Sequence, residues 1–327
     1  MTDMLDTPQG RRLAYQRTEG QGPGVVFLGG FRSDMQGTKA VHLQDWARAR
    51  GRAFLRFDYS GHGESGGRFE DGCIGDWCED AISAIEALTE GPQLLVGSSM
   101  GGWISLLIAR SMPRRMAGLV TIAAAPDFTE RGFWVGFSED HRAALMRDGQ
   151  VPVPSEYGEP LVITRRLIED GRRHLVLDQP LHLPFPVRML QGTADEDVPA
   201  SWSQDLLDHT TGPDIRLTLV KGADHRFSTP DCLRLITDSV EALVQKVSEQ
   251  WSPTSGLAPL TFDFAISNRK RMLPPVAQTS ASDRSMRSSW TSGSFSPSSN
   301  QLEATAFQIS SSLARSVDRA SRPWMRA

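Results

Sequence analysis

The sequence predicts an α/β protein built on a mostly parallel, doubly wound sheet. Two observations carry that expectation. Short apolar runs, most of them ending in Gly or Ser, recur along the first 222 residues, as strands buried on both faces do. Between them lie amphipathic stretches of helical spacing that stop at Gly or Pro. Repetition of strand, helix and strand makes a sheet with helices on both faces.

The expected strands are "VVFLGG" (25–30), "AFLRFDYS" (53–60), "QLLVGSS" (93–99), "AGLVTIAAA" (117–125), "VRMLQG" (187–192) and "IRLTLVKG" (215–222). The expected helices are "TKAVHLQDWARARG" (38–51), "IGDWCEDAISAIEALTEG" (74–91) and "GGWISLLIARSM" (101–112). Residues 127–186 break the rhythm. They read as two helices, near 139–148 and 159–173, around "GQVPVPSEYG", with no central strand. An insertion placed after a sheet strand is positioned to act as a lid over a site.

Residues 1–250 thus form one expected domain, and 251–327 a Ser/Arg-rich tail without sustained periodicity, expected to be disordered. The net charge of −4 hides an uneven split. Up to Gln250 there are 26 basic and 35 acidic residues, which argues against nucleic acid as a partner. Cys73, Cys78 and Cys232 are too scattered for a disulfide framework or a four-ligand zinc site. The start "MTDMLDTPQGRR" carries acids where a signal or transit peptide needs basic and apolar residues, and no apolar run approaches a membrane span. The expectation is a soluble cytoplasmic protein without a metal or organic cofactor, since neither a ligand cluster nor a phosphate-binding Gly loop is present.

In a doubly wound sheet ligands bind beyond the carboxyl ends of the strands, so the residues at those ends are informative. Ser99 follows the strand at 93–97 and has Gly97 and Gly101 two residues to either side. This G-x-S-x-G spacing suits a nucleophile on a sharp strand-to-helix bend, where larger neighbours would collide. A serine hydroxyl needs a base within hydrogen-bonding reach, and the base needs an orienting carboxylate. After the strand at 187–190, "QGTADEDVP" offers Asp195 and Asp197, and after the last strand "KGADHRFS" offers His225. Asp195, just past the strand end, is the preferred acid; Asp224 is expected to stabilise its loop. Among the other histidines the serious rival base is His62 in "DYSGHGES", whose alternative role is turn shaping with Gly61 and Gly63.

Attack on an acyl carbon creates an oxyanion that needs preorganised N–H donors. The backbone N–H of Met100, at the first turn of a helix, is one candidate. The Phe31 N–H in "LGGFRSD" is the other, because Gly29 and Gly30 allow close approach. Met100 and Trp103, beside the nucleophile, are candidates for an acyl pocket. The paired arginines Arg165, Arg166, Arg172 and Arg173 read as a solvated face of the insertion, with recognition of a substrate carboxylate as the lesser reading.

At this point the residues carry a resemblance. The order of motifs resembles the α/β-hydrolase superfamily. Within it, "GFRSDMQGTKA", "FDYSGHGESGG", "GPQLLVGSSMGGW", "GTADEDVP" and "ADHRFS" are similar to the family of α/β-hydrolase domain-containing protein ten, over roughly residues 10–247. That family includes a mitochondrial palmitoyl-protein thioesterase, also described as a mycophenolic acid acyl-glucuronide esterase, and bacterial relatives. The resemblance implies a nucleophile at Ser99, an acid at Asp195, a base at His225 and oxyanion donors at Phe31 and Met100. It also implies the substrate class, S-acyl thioesters of cysteine and acyl-glucuronide esters, with an S-acylated protein among the partners. A transit peptide of the eukaryotic kind is not expected at this start, and the tail carries none of these motifs. The competing expectations are a general carboxylesterase or carbon–carbon bond hydrolase on the same triad and, from another class, a non-catalytic acyl-binding module.

Overall fold

The computed structural model describes residues 2–154 and 160–250; the expected tail lies outside them. The chain opens with β1 (Asp3–Asp6) and β2 (Arg12–Thr18), then alternates through β3 (Gln21–Leu28), α1 (Thr38–Ala49), β4 (Arg52–Phe57), α2 (Ile74–Leu88), β5 (Gln93–Ser98), α3 (Met100–Ser111) and β6 (Met116–Ile122). The excursion that follows holds a π-helical turn (Thr129–Trp134), α4 (Glu139–Asp148), β7 (Gln150–Val153), β8 (Leu161–Thr164), α5 (Arg165–Gly171) and the two-residue β9 (Leu181–His182). The chain then returns through β10 (Val187–Gly192), α6 (Ala200–His209), the short β11 (Thr210–Thr211), β12 (Ile215–Val220) and α7 (Pro230–Gln250).

Eight strands make the main sheet, in the order β1-β2-β4-β3-β5-β6-β10-β12. Strands from β4 to β12 in that order run parallel, and β2 is antiparallel to both its neighbours. Successive side chains of a strand point to opposite faces, and the two halves of the core follow that alternation. Val26, Leu28 and Leu95 pack with α2, α3 and α6, while Val25, Phe27, Leu94 and Val96 pack with α1 and α7. The near-continuous apolar runs of β5 and β6 are therefore buried throughout.

This order also places the site. From β3 the chain crosses to β4 on one side, and from β4 it passes back over β3 to β5 on the other. The carboxyl ends of β3 and β5 thus flank the point where the winding reverses, the crevice in which such sheets bind ligands.

Three expectations need correction. The stretch 159–173 is not one helix: Leu161–Thr164 pairs antiparallel with Gln150–Val153, and the helix begins only at Arg165. The β-branched run Val162-Ile163-Thr164 favours the extended form. Next, β12 is an edge strand of alternating exposure rather than one buried on both faces, and Leu219 is 43% exposed. Finally, β1 and β2 were not foreseen; β1 is short and largely exposed, with no apolar pattern to betray it.

Among the described residues no helix is long and apolar enough to cross a membrane. The three cysteines are free and buried. Burial pushes the Cys73 and Cys78 thiols up to about 12, which holds them as inert thiols.

Candidate active site

The bend after β5 is built around one strained residue. Ser99 has φ 52° and ψ −116°, a left-handed conformation that disfavours a side chain by about 1–3 kcal/mol. Surrounding hydrogen bonds enforce it: Ser99 N–H donates to Ile122 O at 2.9 Å, and the Ser99 carbonyl accepts from Gly102 N–H (2.9 Å) and Ala125 N–H (3.1 Å). The flanking glycines have a steric cause. A Cβ on Gly97 would lie inside contact distance of the Gly101 carbonyl and Ser105 Oγ, and one on Gly101 inside contact of the Leu28 and Gly29 carbonyl oxygens.

A stability prediction arises here. Rigid backbone cannot give way, so Gly101→Ala is expected to lose about 3 kcal/mol or more, a Tm fall of about 10 °C. Gly136→Ala is the control, because a Cβ there meets nothing within 4 Å. Thermal melts followed by circular dichroism check both, and equal melting of the two variants would contradict the steric reading of the elbow.

His225 and Asp195 meet Ser99 from two other strand ends. His225, on the loop after β12, lies with Nε2 3.2 Å from Ser99 Oγ and Nδ1 2.9 Å from Asp195 Oδ2. A carboxylate only accepts, so the imidazole donates its Nδ1–H to Asp195 and leaves the Nε2 lone pair facing the serine hydroxyl. The Asp195 side chain is fully buried. Its Oδ1 accepts from Asp197 N–H (3.0 Å) and Val198 N–H (2.7 Å), and its Oδ2 also accepts from Gln191 Nε2 (2.9 Å). Asp197 contributes that backbone N–H, and its carboxylate stands within 4.8 Å of both Asp195 and the His225 ring. Asp224 does what its position suggested, with Oδ1 accepting Phe227 N–H at 3.1 Å.

The two candidate oxyanion donors converge on the same serine. Met100 N–H opens α3, where backbone donors have no partner within the helix. The loop after β3 lies against the elbow, since a Cβ on Gly30 would sit 3.4 Å from Ser99 Cβ. Phe31 follows, its half-buried ring held edge-on among Phe69, Trp77 and Phe128 at 4.9–5.8 Å. Neither the Phe31 nor the Met100 N–H donates to a protein acceptor among the described residues.

Other expectations fare differently. Met100 and Trp103 are completely buried. Trp103 Nε1 donates to His174 O at 3.1 Å and the ring meets Phe128 edge-on, so both side chains back the elbow from inside and do not line an open pocket. Each paired arginine is engaged by a carboxylate of the protein: Arg165 by Glu169 (2.6 Å), Arg166 by Asp76 (2.7 Å), Arg172 by Glu130 (2.7 Å) and Arg173 by Asp170 (2.7 Å). His62, the rival base, is buried and spends its Nε2 on Arg32 N–H (3.3 Å).

Sequence reasoning missed two supporting residues. Gln191 is a buried amide at the end of an apolar strand, fixed by Ser203 Oγ (2.8 Å) while it donates to Asp195. A polar residue inside a buried run is itself a signal, because such groups must be hydrogen-bonded. Lys39, near the start of α1, donates to Arg226 O at 2.6 Å and so ties down the loop of His225; burial lowers its pKa although Asp224 and Asp195 act in the opposite sense.

A serine hydroxyl, an imidazole and a carboxylate hydrogen-bonded in series at the carboxyl edge of such a sheet define the class of α/β hydrolases. A family model described as Hydrolase_4, serine aminopeptidase S33, matches residues 24–157. The palmitoyl-protein thioesterase ABHD10, mitochondrial, of Bos taurus is 35% identical over 249 residues, covering 75% of this chain and 80% of the relative; the Homo sapiens protein is 34% identical over 246 residues, with the same coverage. Among solved structures, a putative hydrolase from Agrobacterium vitis S4 superposes with a TM-score of 0.72 at 38% identity, covering 75% of this chain and 98% of that one. Mouse α/β hydrolase domain-containing protein 10 gives 0.71 at 33% identity, covering 76% and 99%. The chain belongs to the ABHD10 family of α/β hydrolases and is a serine hydrolase.

Proposed function

We propose that this protein hydrolyses acyl thioesters of the S-palmitoyl-cysteine type, and carboxylic esters such as acyl glucuronides, through an acyl-enzyme on Ser99. The single observation behind this is the unbroken series Ser99 Oγ, His225 Nε2, His225 Nδ1 and Asp195 Oδ2. The relatives' printed name supplies the thioester class.

Ser99 Oγ attacks the acyl carbon as its proton passes to His225 Nε2, and Asp195 stabilises the imidazolium that forms. The carbonyl oxygen becomes an oxyanion between the Phe31 and Met100 N–H groups, with the positive end of α3 behind it. The intermediate collapses, the carbon–sulfur or carbon–oxygen bond breaks, and the proton on Nε2 goes to the departing thiol or alcohol. Water then repeats the sequence on the acyl-enzyme and releases the carboxylic acid.

In this reading residues 127–186 are the lid, and the acyl chain runs over the partly exposed rings of Phe31 and Phe69 instead of towards Met100 and Trp103. Each buried methylene contributes about 0.8 kcal/mol, so kcat/KM is expected to climb by up to about fourfold per methylene until the surface is filled. A series of acyl thioesters from two to sixteen carbons measures this, and a flat profile would remove the acyl surface. With the lid arginines paired internally, an acyl glucuronide and its methyl ester are expected to react within about threefold of each other.

The reading is tested by labelling with a fluorophosphonate probe, which should modify Ser99 alone, and by a panel of thioesters, glucuronides and p-nitrophenyl esters. A protein that labels but prefers p-nitrophenyl esters over every thioester is a general carboxylesterase. The proposal keeps a cytoplasmic location; the relatives' printed name is mitochondrial, and cell fractionation separates the two.

A further inference from the structure

We infer that His62 is a positioning residue for the oxyanion site: as its neutral Nδ1–H tautomer it accepts Arg32 N–H through Nε2 and so fixes the backbone that carries the Phe31 N–H. The inference rests on the proposed roles of Ser99 and Phe31.

Two fixed partners determine the tautomer. Nδ1 lies 3.2 Å from the Ser60 carbonyl, which can only accept, and Nε2 lies 3.3 Å from the Arg32 backbone N–H, which can only donate. The ring is therefore protonated at Nδ1 and bare at Nε2. Burial pushes its pKa down to about 4, so it is neutral at pH 7. An imidazolium would set one N–H against another.

The ring itself has little freedom. It is 3% exposed and meets Tyr59, Phe69 and Trp77 edge-on at 5.1–5.6 Å. Phe69 and Trp77 are also the rings that hold Phe31. The Ser60 carbonyl is pinned in turn by Trp77 Nε1 at 3.1 Å.

What His62 holds is a strained piece of chain. Arg32 has φ 58°, a left-handed conformation that a residue with a side chain keeps only when its surroundings impose it. The next anchor comes from the same side, because Asp58 Oδ1 accepts Met35 N–H at 2.6 Å. The loop after β4 thus grips the loop after β3 at two points. The Phe31 peptide lies between the first of these and the close approach of Gly30 to Ser99. An oxyanion donor works only if it is aimed before the charge develops.

The test compares His62→Phe, which keeps an aromatic ring but has no acceptor, with His62→Gln, whose Oε1 can accept while its amide donates to Ser60. Removing an oxyanion donor outright lowers kcat by about 10²–10³. Misaiming one through His62→Phe is expected to lower it about 10- to 100-fold, with KM within about threefold. An alkyl trifluoromethyl ketone, whose serine adduct carries an oxyanion, should bind more weakly by the same factor, and His62→Gln should recover most of both losses.

Unchanged kcat in His62→Phe, or a loss that appears in KM and not in ketone affinity, would overturn the inference. So would equal losses in the Phe and Gln variants. If His62→Phe does not fold, imidazole ¹⁵N shifts of the wild-type protein at pH 7 serve instead: an Nδ1–H tautomer with an accepting Nε2 is expected, and an Nε2–H tautomer refutes it. Ser99→Ala, assayed alongside, keeps the two readings apart. A live Ser99→Ala removes the triad reading, whereas a dead one beside an unaffected His62→Phe removes only the positioning role.

Discussion

Ser99→Ala is expected to lower kcat by about four orders of magnitude or more while leaving Tm within about 4 °C. The two halves of that expectation have separate causes. Alanine keeps the Cβ that the elbow already accommodates at φ 52°, and the hydrogen bonds enforcing the bend use only the backbone at position 99. Folding therefore loses one side-chain hydrogen bond, Oγ to His225 Nε2, at a half-exposed site, worth about 1 kcal/mol at most. Chemistry loses its nucleophile. What remains is attack by water on a carbonyl polarised by the proposed oxyanion donors, and such residual catalysis is slow. Steady-state rates on an S-acyl thioester, with fluorophosphonate labelling and a thermal melt of the same preparation, test it. Activity within tenfold of wild type would take Ser99 out of the mechanism.

The reason Ser99 was legible from sequence and its supports were not is the range of the interactions involved. The elbow is local: Gly97, Ser99 and Gly101 act on one another and on adjacent strands, so their spacing survives in the linear pattern. The order Ser, Asp, His follows from which strand ends face the cleft. His62, by contrast, acts on Arg32 thirty residues away, and Lys39 on a carbonyl 187 residues away. Nothing in "DYSGHGES" says that the imidazole ends on a backbone N–H; a histidine beside two glycines after a strand serves equally well as a base or a turn. The same limit explains the acyl pocket. Adjacency in sequence put Met100 and Trp103 next to the nucleophile, but on α3 those positions turn into the core, where Trp103 reaches His174 O. Strands of the central sheet were readable because burial on both faces leaves an unbroken apolar run. The β7–β8 pair was not, since one of its strands contains Pro152 and each is four residues long.

Asp195→Asn is expected to lower kcat by about 10⁴-fold and also, unlike Ser99→Ala, to cost stability. Four donors converge on this carboxylate: two backbone N–H groups on Oδ1, and Gln191 Nε2 with His225 Nδ1 on Oδ2. An asparagine has one acceptor oxygen to offer. Pointed at the Asp197 and Val198 N–H groups, it turns its NH₂ towards Gln191, whose own amide also donates to Val198 O (3.0 Å) and is held through Oε1 by Ser203. That leaves a buried donor facing a donor, a loss of about 1–3 kcal/mol, or about 3–10 °C in Tm. The same NH₂ faces His225 Nδ1 and selects the tautomer in which Nδ1 accepts and Nε2 carries the proton. The imidazole then presents N–H to Ser99 and has no lone pair to receive the hydroxyl proton. Asp197→Asn keeps the backbone N–H that residue 197 gives to the network and removes a carboxylate within 4.8 Å of the His225 ring, so its kcat is expected to fall far less than that of Asp195→Asn, to within about fivefold of wild type. Rates and melts of both variants on one thioester decide the assignment, and an Asp197→Asn enzyme slower than Asp195→Asn would transfer the role of the acid to Asp197.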